Sequence, residues 1–344
     1  MIIPFFFGLV SPLRAPMTWA LFVMNLGILI LTQINMAGVQ SKLEAMAEDT
    51  ALADIQGRIF ASYVLENKSR YPASYVQISE EALIQSDSEK TQLLGALALR
   101  DSEFYSEKNP YLFSSEARNR HVDVVEQVWW QSKSKELQLI RQSHSGYVLG
   151  ITKENQSALQ WLTYQFVHSD ESHFLVNMIV FLIFGAALEL IVGPIALLAV
   201  FLLSGVGAAF VYLMIDQVSA IPLIGASGAV SGVVALFCVL FWNHGLRNFY
   251  FLFVPARGFT GFVYVPGWLV LILWIVADFA GFFSTPGEIG GVAHSAHIGG
   301  QVTGALLALL VILYFRFRPA RWNLLVNRAL KLKMLGPKMK AEGI

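Results

Sequence analysis

HFLVNMIVFLIFGAALELI, residues 173–191, reads as a helix built for lipid rather than water. A bilayer core of roughly 30 Å takes about 20 helical residues, and this run is long enough. Only His173, Asn177 and Glu189 interrupt its apolar character. Polar groups inside a span are costly, so they point to function or to helix–helix contact. His173 and Asn177 stand four apart and share one helical face.

Working outward, Gly193 and Pro194 mark a sharp turn into a second apolar run, residues 194–215. Residues 227–242, 265–283 and 293–315 are three more, and residues 17–37 form one before them. Only Arg14 precedes the 17–37 run, which is longer than a signal core, so it reads as a retained helix. Asn25 and Asn35 within it are expected to face other helices. The connections are a Pro222 loop at 221–225, a polar-aromatic stretch at 243–264 and a Pro286 loop at 282–291. Tyr264 and Trp268 read as interface anchors.

Residues 40–159 are of another kind. They hold 13 of the 24 basic and 17 of the 24 acidic residues, although the whole chain is only 14% charged and its mean hydropathy is +0.56. Helical periodicity recurs at 43–53, 55–65, 122–130 and 137–140, with breaks at Pro72 and Pro110 and Ser-rich loops near Ser86 and Ser114. This predicts a small, mostly helical extramembrane domain. His121 and His144 read as solvated surface residues. The expected fold is therefore all-α: a polytopic bundle of six transmembrane helices with an inserted domain. Its parts are a cytoplasmic N-terminus (1–16), a first helix (17–37), the insertion (40–159), a five-helix core (161–315) and a basic tail (316–344).

That tail carries Arg316, Arg318, Arg321, Arg328, Lys331, Lys333, Lys338 and Lys340 against Glu342 alone. The positive-inside bias then places both termini in the cytoplasm and the insertion outside. The 243–264 connection, with Arg247 and Arg257, agrees. Net charge is zero, so nothing argues for a nucleic-acid partner. Cys238 is the single cysteine and reads as a small buried hydrophobe, since no disulfide and no Cys/His zinc spacing is available.

In this topology three helices begin at the same level, each with polar residues. His168, His173 and Asn177 lie at the start of one. Ser227 opens another, in Gly225-Ala226-Ser227-Gly228. His294 and His297 open the last, followed by Gly300 and Gly304. A serine hydroxyl needs a base before it attacks a carbonyl, and histidine has the suitable pKa. Ser227 is thus a candidate nucleophile with His297 as its base. His173, Asn177 and the Ser227 backbone N–H are candidate oxyanion donors. No acid stands at an evident spacing from His297, so the pattern predicts a dyad. The pairs Gly228/Gly232 and Gly300/Gly304 form small-residue stripes that would bring the two helices into contact.

These residues resemble the rhomboid family of intramembrane serine proteases. The matching elements are His168-x-x-x-x-His173-x-x-x-Asn177, Gly225-x-Ser227-Gly228 and Ala296-His297-x-x-Gly300-x-x-x-Gly304, in that order, with Glu189 at a further family position. The resemblance covers residues 161–315 well and 17–37 loosely; the insertion lies outside it. It implies a six-helix bundle around a wet cavity, Ser227 as nucleophile, His297 as base, and His173, Asn177 and the Ser227 N–H as oxyanion hole. His168 would be structural. Partners would be membrane proteins cut in or near a transmembrane segment, within the lipid bilayer and without a cofactor. The expected location is a bacterial inner membrane. The chain departs from the family twice: Leu159 and Gln160 stand where the family usually has Trp-Arg, and Ser231 stands where many members carry an aromatic ring against the histidine.

Other readings remain at this point. Ser227 alone could be a helix cap. His168, His173, His294 and His297, with Asp170 and Glu171, could hold a metal. A rhomboid-like pseudoprotease would bind transmembrane clients without cutting them. Asp278 reads as a hydrogen-bond partner for a neighbouring helix, Glu189 as a partner for backbone groups at an inner loop. His294 has no assigned role, and the fifth span with the 282–291 loop is the candidate gate.

Overall fold

The computed structural model describes residues 2–4, 10–99, 101, 104–105, 109–113, 119–153, 156–215, 222–251, 260–284 and 293–338. The helices are α1 Pro16–Glu48, α2 Thr50–Glu66, α3 Ala73–Gln85, α4 Ser88–Ala98, α5 Pro110–Phe113, α6 Val124–Ser143 and α7 Ser145–Leu149. They continue with α8 Gln160–Thr163, α9 Glu171–Val192, α10 Pro194–Ile215, α11 Ser227–Leu240, α12 Gly267–Ser284, α13 His294–Arg316 and α14 Pro319–Lys331. Four short strands complete the set: β1 Ile2–Pro4, β2 His244–Phe251, β3 Thr260–Pro266 and β4 Leu335–Lys338.

Two compact units emerge. One comprises Met1–Ile30, Ser157–Ile215 and Leu223–Ile344; the other is built around Leu31–Gln156. By length and composition α1, α9, α10 and α13 are apolar enough to cross a membrane, and α11 and α12 are shorter apolar helices. The chain is an all-α polytopic membrane protein. The helix α11 is its centre: it packs against α9, α10, α12 and α13, and it is buried along nearly its whole length. A helix apolar on every side suits such a position.

Glycine explains how closely α11 and α13 approach. A Cβ on Gly300 would lie 1.9 Å from the Gly228 carbonyl oxygen, and one on Gly304 would lie 2.0 Å from that of Gly232. The two stripes read from the sequence do meet. At the other end of the bundle, Glu189 accepts from the Met17 N–H (2.9 Å), the Thr18 N–H (2.7 Å) and the Thr18 hydroxyl (2.7 Å). A buried carboxylate thus satisfies the orphan donors of the α1 N-terminus and faces the positive end of its dipole.

Residues 243–264 are more than a connection. The strands β2 and β3 pair antiparallel, from Gly245↔Pro266 to Phe251↔Thr260, and β1 and β4 pair with β2 as well. The aromatic and β-branched residues here fit a pleated surface, and Arg247 stacks 3.7 Å over the Phe262 ring. The expected fifth span therefore starts two residues late, because Val265 and Pro266 end β3. The basic tail is likewise ordered into α14 and β4.

The second unit is helical, as its periodicity predicts, although 122–130 and 137–140 belong to a single helix, α6. Its core gathers Phe60, Phe104 and Trp130. Gly57 and Gly95 let α2 and α4 cross closely: a Cβ on either would fall within 2.0 Å of a carbonyl oxygen on the other helix. His144 is not on the surface. It is buried and caps α7 by accepting from the Gly146 N–H at 3.1 Å.

Candidate active site

The entry to α9 is a dense hydrogen-bond knot. Asp170 is the N-cap and accepts from the His173 N–H at 2.9 Å, from the Ser172 hydroxyl and from the Ser169 hydroxyl at 2.7 Å. These bonds, the Ser172 hydroxyl first, hold its carboxyl down at about 2. Ser169 Oγ also lies 3.1 Å from His173 Nδ1. His168 is fully buried, with its ring edge-on to His173 and Phe174. Burial pushes it down to about 4, and the neighbouring His173 adds to the shift. One turn into the helix, the Asn177 side chain donates to the His173 carbonyl at 2.9 Å.

The loop before α11 brings Ser227 to this knot. Gly225 adopts φ +116°, and a Cβ there would fall 2.7 Å from Cε1 of His173. Left-handed backbone and the adjacent ring both demand glycine. The Gly225 N–H donates to the Tyr164 carbonyl at 2.9 Å, and the Tyr164 hydroxyl donates to the Gly205 carbonyl at 2.6 Å. Tyr164 thus ties the serine loop to α10. Ser227 is the first residue of α11 and is only partly buried. As the first helical residue its N–H has no intrahelical acceptor.

His297 reaches the same level from α13. The position of a Cβ on Gly228 lies 3.4 Å from the Ala296 carbonyl oxygen, so the residues next to Ser227 and His297 touch. His173 is within electrostatic reach of His297. The Nδ1 of His297 lies 2.7 Å from Asp278 Oδ1. Its Nε2 is buried and makes no hydrogen bond among the described residues. Ser227 and His297 share no direct hydrogen bond here, and such bonds often form only in the substrate complex.

An acid does therefore face His297, against the expectation of none. Spacing within one helix could not reveal it, because Asp278 sits on α12 and the contact is between helices. Asp278 does bond to a neighbouring helix, as expected of it, but among the described residues its partners are three. His294 Nδ1 lies 3.0 Å from the same oxygen, and Gln301 donates to Oδ2. One signal was available: a lone carboxylate in a span must find donors. Tyr164 and Ser169 carried no such signal.

The four histidines do not form one metal set. Among the described residues, the ligand atoms of Asp278, His294 and His297 lie within 4.8 Å of one another, and His168 and His173 are outside that group. Ser231 is buried in α11. The loop expected to gate the site, 285–291 above all, lies outside the described residues.

The fold and the site define a polytopic helical membrane protein in which a helix that starts with a serine packs against one that carries a partly buried histidine near its start. Residues 155–314 match the family model described as the Rhomboid domain. That segment is similar to the rhomboid family. No curated protein matches it at a significant level.

Proposed function

We propose that this protein is an intramembrane serine endopeptidase that cleaves membrane proteins in or beside a transmembrane segment. One observation carries the reading. His297 has Nδ1 engaged and Nε2 without a hydrogen bond among the described residues, on the helix that glycines press against the start of the Ser227 helix.

In this reading His297 Nε2 takes the Ser227 proton as Oγ attacks the scissile carbonyl carbon. The imidazolium returns that proton to the leaving amine, and water then releases the acyl group by the same path. The oxyanion is met by the Ser227 N–H and by Asn177, whose amide has a second proton beyond the one on the His173 carbonyl. His173 joins as a donor only with its proton on Nε2. That tautomer requires Ser169 to donate to Nδ1 rather than to Asp170. His168, Gly225, Gly228, Gly300, Gly304 and Glu189 support the frame.

The 14 residues of α11 rise roughly 21 Å, short of a roughly 30 Å hydrocarbon core. A helix this short sets Ser227 below the membrane surface, where a substrate segment can reach it from the lipid. The arginines and lysines after Phe315 favour a cytoplasmic C-terminus, with the N-terminus on the same side and the insertion opposite.

A fluorophosphonate probe tests the reading. Wild-type protein in detergent should be labelled, Ser227→Ala should not, and co-expressed single-span membrane proteins should be cut only by the wild type. Folded wild-type protein that neither labels nor cleaves would instead be a pseudoprotease.

A further inference from the structure

We infer that Asp278 is a positioning residue that completes a Ser227–His297–Asp278 triad across three helices. The inference rests on the serine-protease reading and deepens it.

A serine protease base needs three things: the proton of its neutral form on the far nitrogen, a fixed ring plane, and a partner for the imidazolium. The contact between Asp278 Oδ1 and His297 Nδ1, at 2.7 Å, supplies all of them. Ionised carboxylate accepts but does not donate, so the proton of neutral His297 sits on Nδ1 and Nε2 presents its lone pair. That nitrogen is the buried one with no partner among the described residues. The carboxylate is itself fixed, by His294 on Oδ1 and Gln301 on Oδ2. Both lie on α13 one turn to either side of His297, at positions 294 and 301, so one helix face clamps the acid. Asp278 is 5% exposed and the His297 side chain 14%, so water screens the pair only weakly.

His294, unassigned from sequence, gains a role as a holder of the acid. A metal bound by Asp278, His294 and His297 is the competing use of the same atoms. It would occupy Nδ1 in place of the carboxylate contact.

The test uses the full chain in detergent, with fluorophosphonate labelling of Ser227 and cleavage of a single-span substrate as readouts. Asp278→Asn should lower the labelling rate and kcat by about 10²–10⁴-fold with KM within twofold of wild type. Asp278→Glu should recover part of the rate. In wild type, the imidazole ¹⁵N spectrum should place the proton of neutral His297 on Nδ1. This measurement holds even if the variants fold poorly. Wild-type rates in Asp278→Asn, or a proton on Nε2, would overturn the triad while leaving the serine nucleophile in place. Loss of labelling on chelation, restored by zinc, would assign the cluster to a metal and overturn it too. A wild type without any labelling would sink the protease reading itself.

Discussion

A Cβ on Gly300 would stand 1.9 Å from the carbonyl oxygen of Gly228, so these two backbones are in direct contact. The obstacle is main chain, which cannot swing aside as a side chain does. Gly300→Ala should therefore push α13 away from α11 and cost about 1–3 kcal/mol. Because Gly228 follows Ser227 and Gly300 lies one turn after His297, the same shift should separate nucleophile from base. Thermal unfolding in detergent and the rate of fluorophosphonate labelling should both fall. Unchanged labelling at lowered stability would show that the two helices do not set the catalytic distance.

Asn177→Ala should lower kcat by about 10–1000-fold with little change in KM, because an oxyanion donor acts mainly in the transition state. His173→Ala should cost less. The Asp170–Ser169–His173 chain favours a proton on Nδ1, which leaves Nε2 without a hydrogen to give. Comparing the kcat of the two variants on one substrate checks this. A larger loss at His173 would mean that Ser169 turns its hydroxyl toward the ring.

The spans and the contact between the Gly228/Gly232 and Gly300/Gly304 stripes were legible in the sequence for a definite reason. Polar residues in lipid are expensive, and glycine stripes announce close helices. The acid on α12 was legible as a partner for a neighbouring helix but not as the partner of His297. Its contact depends on how α12 leans on α13, and helical spacing carries no information about that. The strand pair at 243–264 was missed because Phe249, Tyr250 and Phe251 read equally as interface aromatics. His144 was misplaced because a capping role depends on the Gly146 N–H, a backbone group that composition does not show.

Glu189 offers a test of the frame apart from the chemistry. Its carboxylate takes three donors from Met17 and Thr18, and it is 3% exposed. Glu189→Ala would strand buried N–H groups at the α1 N-terminus, at about 1–3 kcal/mol. Thermal stability in detergent should drop by that amount, while kcat of the folded fraction stays within a few-fold of wild type. A kcat loss as large as that of Ser227→Ala would mean that α1 placement reaches the catalytic residues.

His168 makes stability depend on pH. Its imidazole is pushed from 6.5 to about 4, chiefly by burial. Below pH 6.5 the unfolded chain takes up a proton that the native site refuses. Stability contributed by this group is therefore full above pH 6.5 and falls as pH drops toward 4, by about 2 kcal/mol at pH 5. Asp170, whose carboxyl is held at about 2, keeps its contribution through this window and loses it only below about 3.8. His168→Phe removes the titrating group and keeps a ring against Phe174, so its melting temperature should fall less than the wild type's between pH 7.5 and 5. Identical pH slopes in the two proteins would mean that His168 takes up its proton inside the fold.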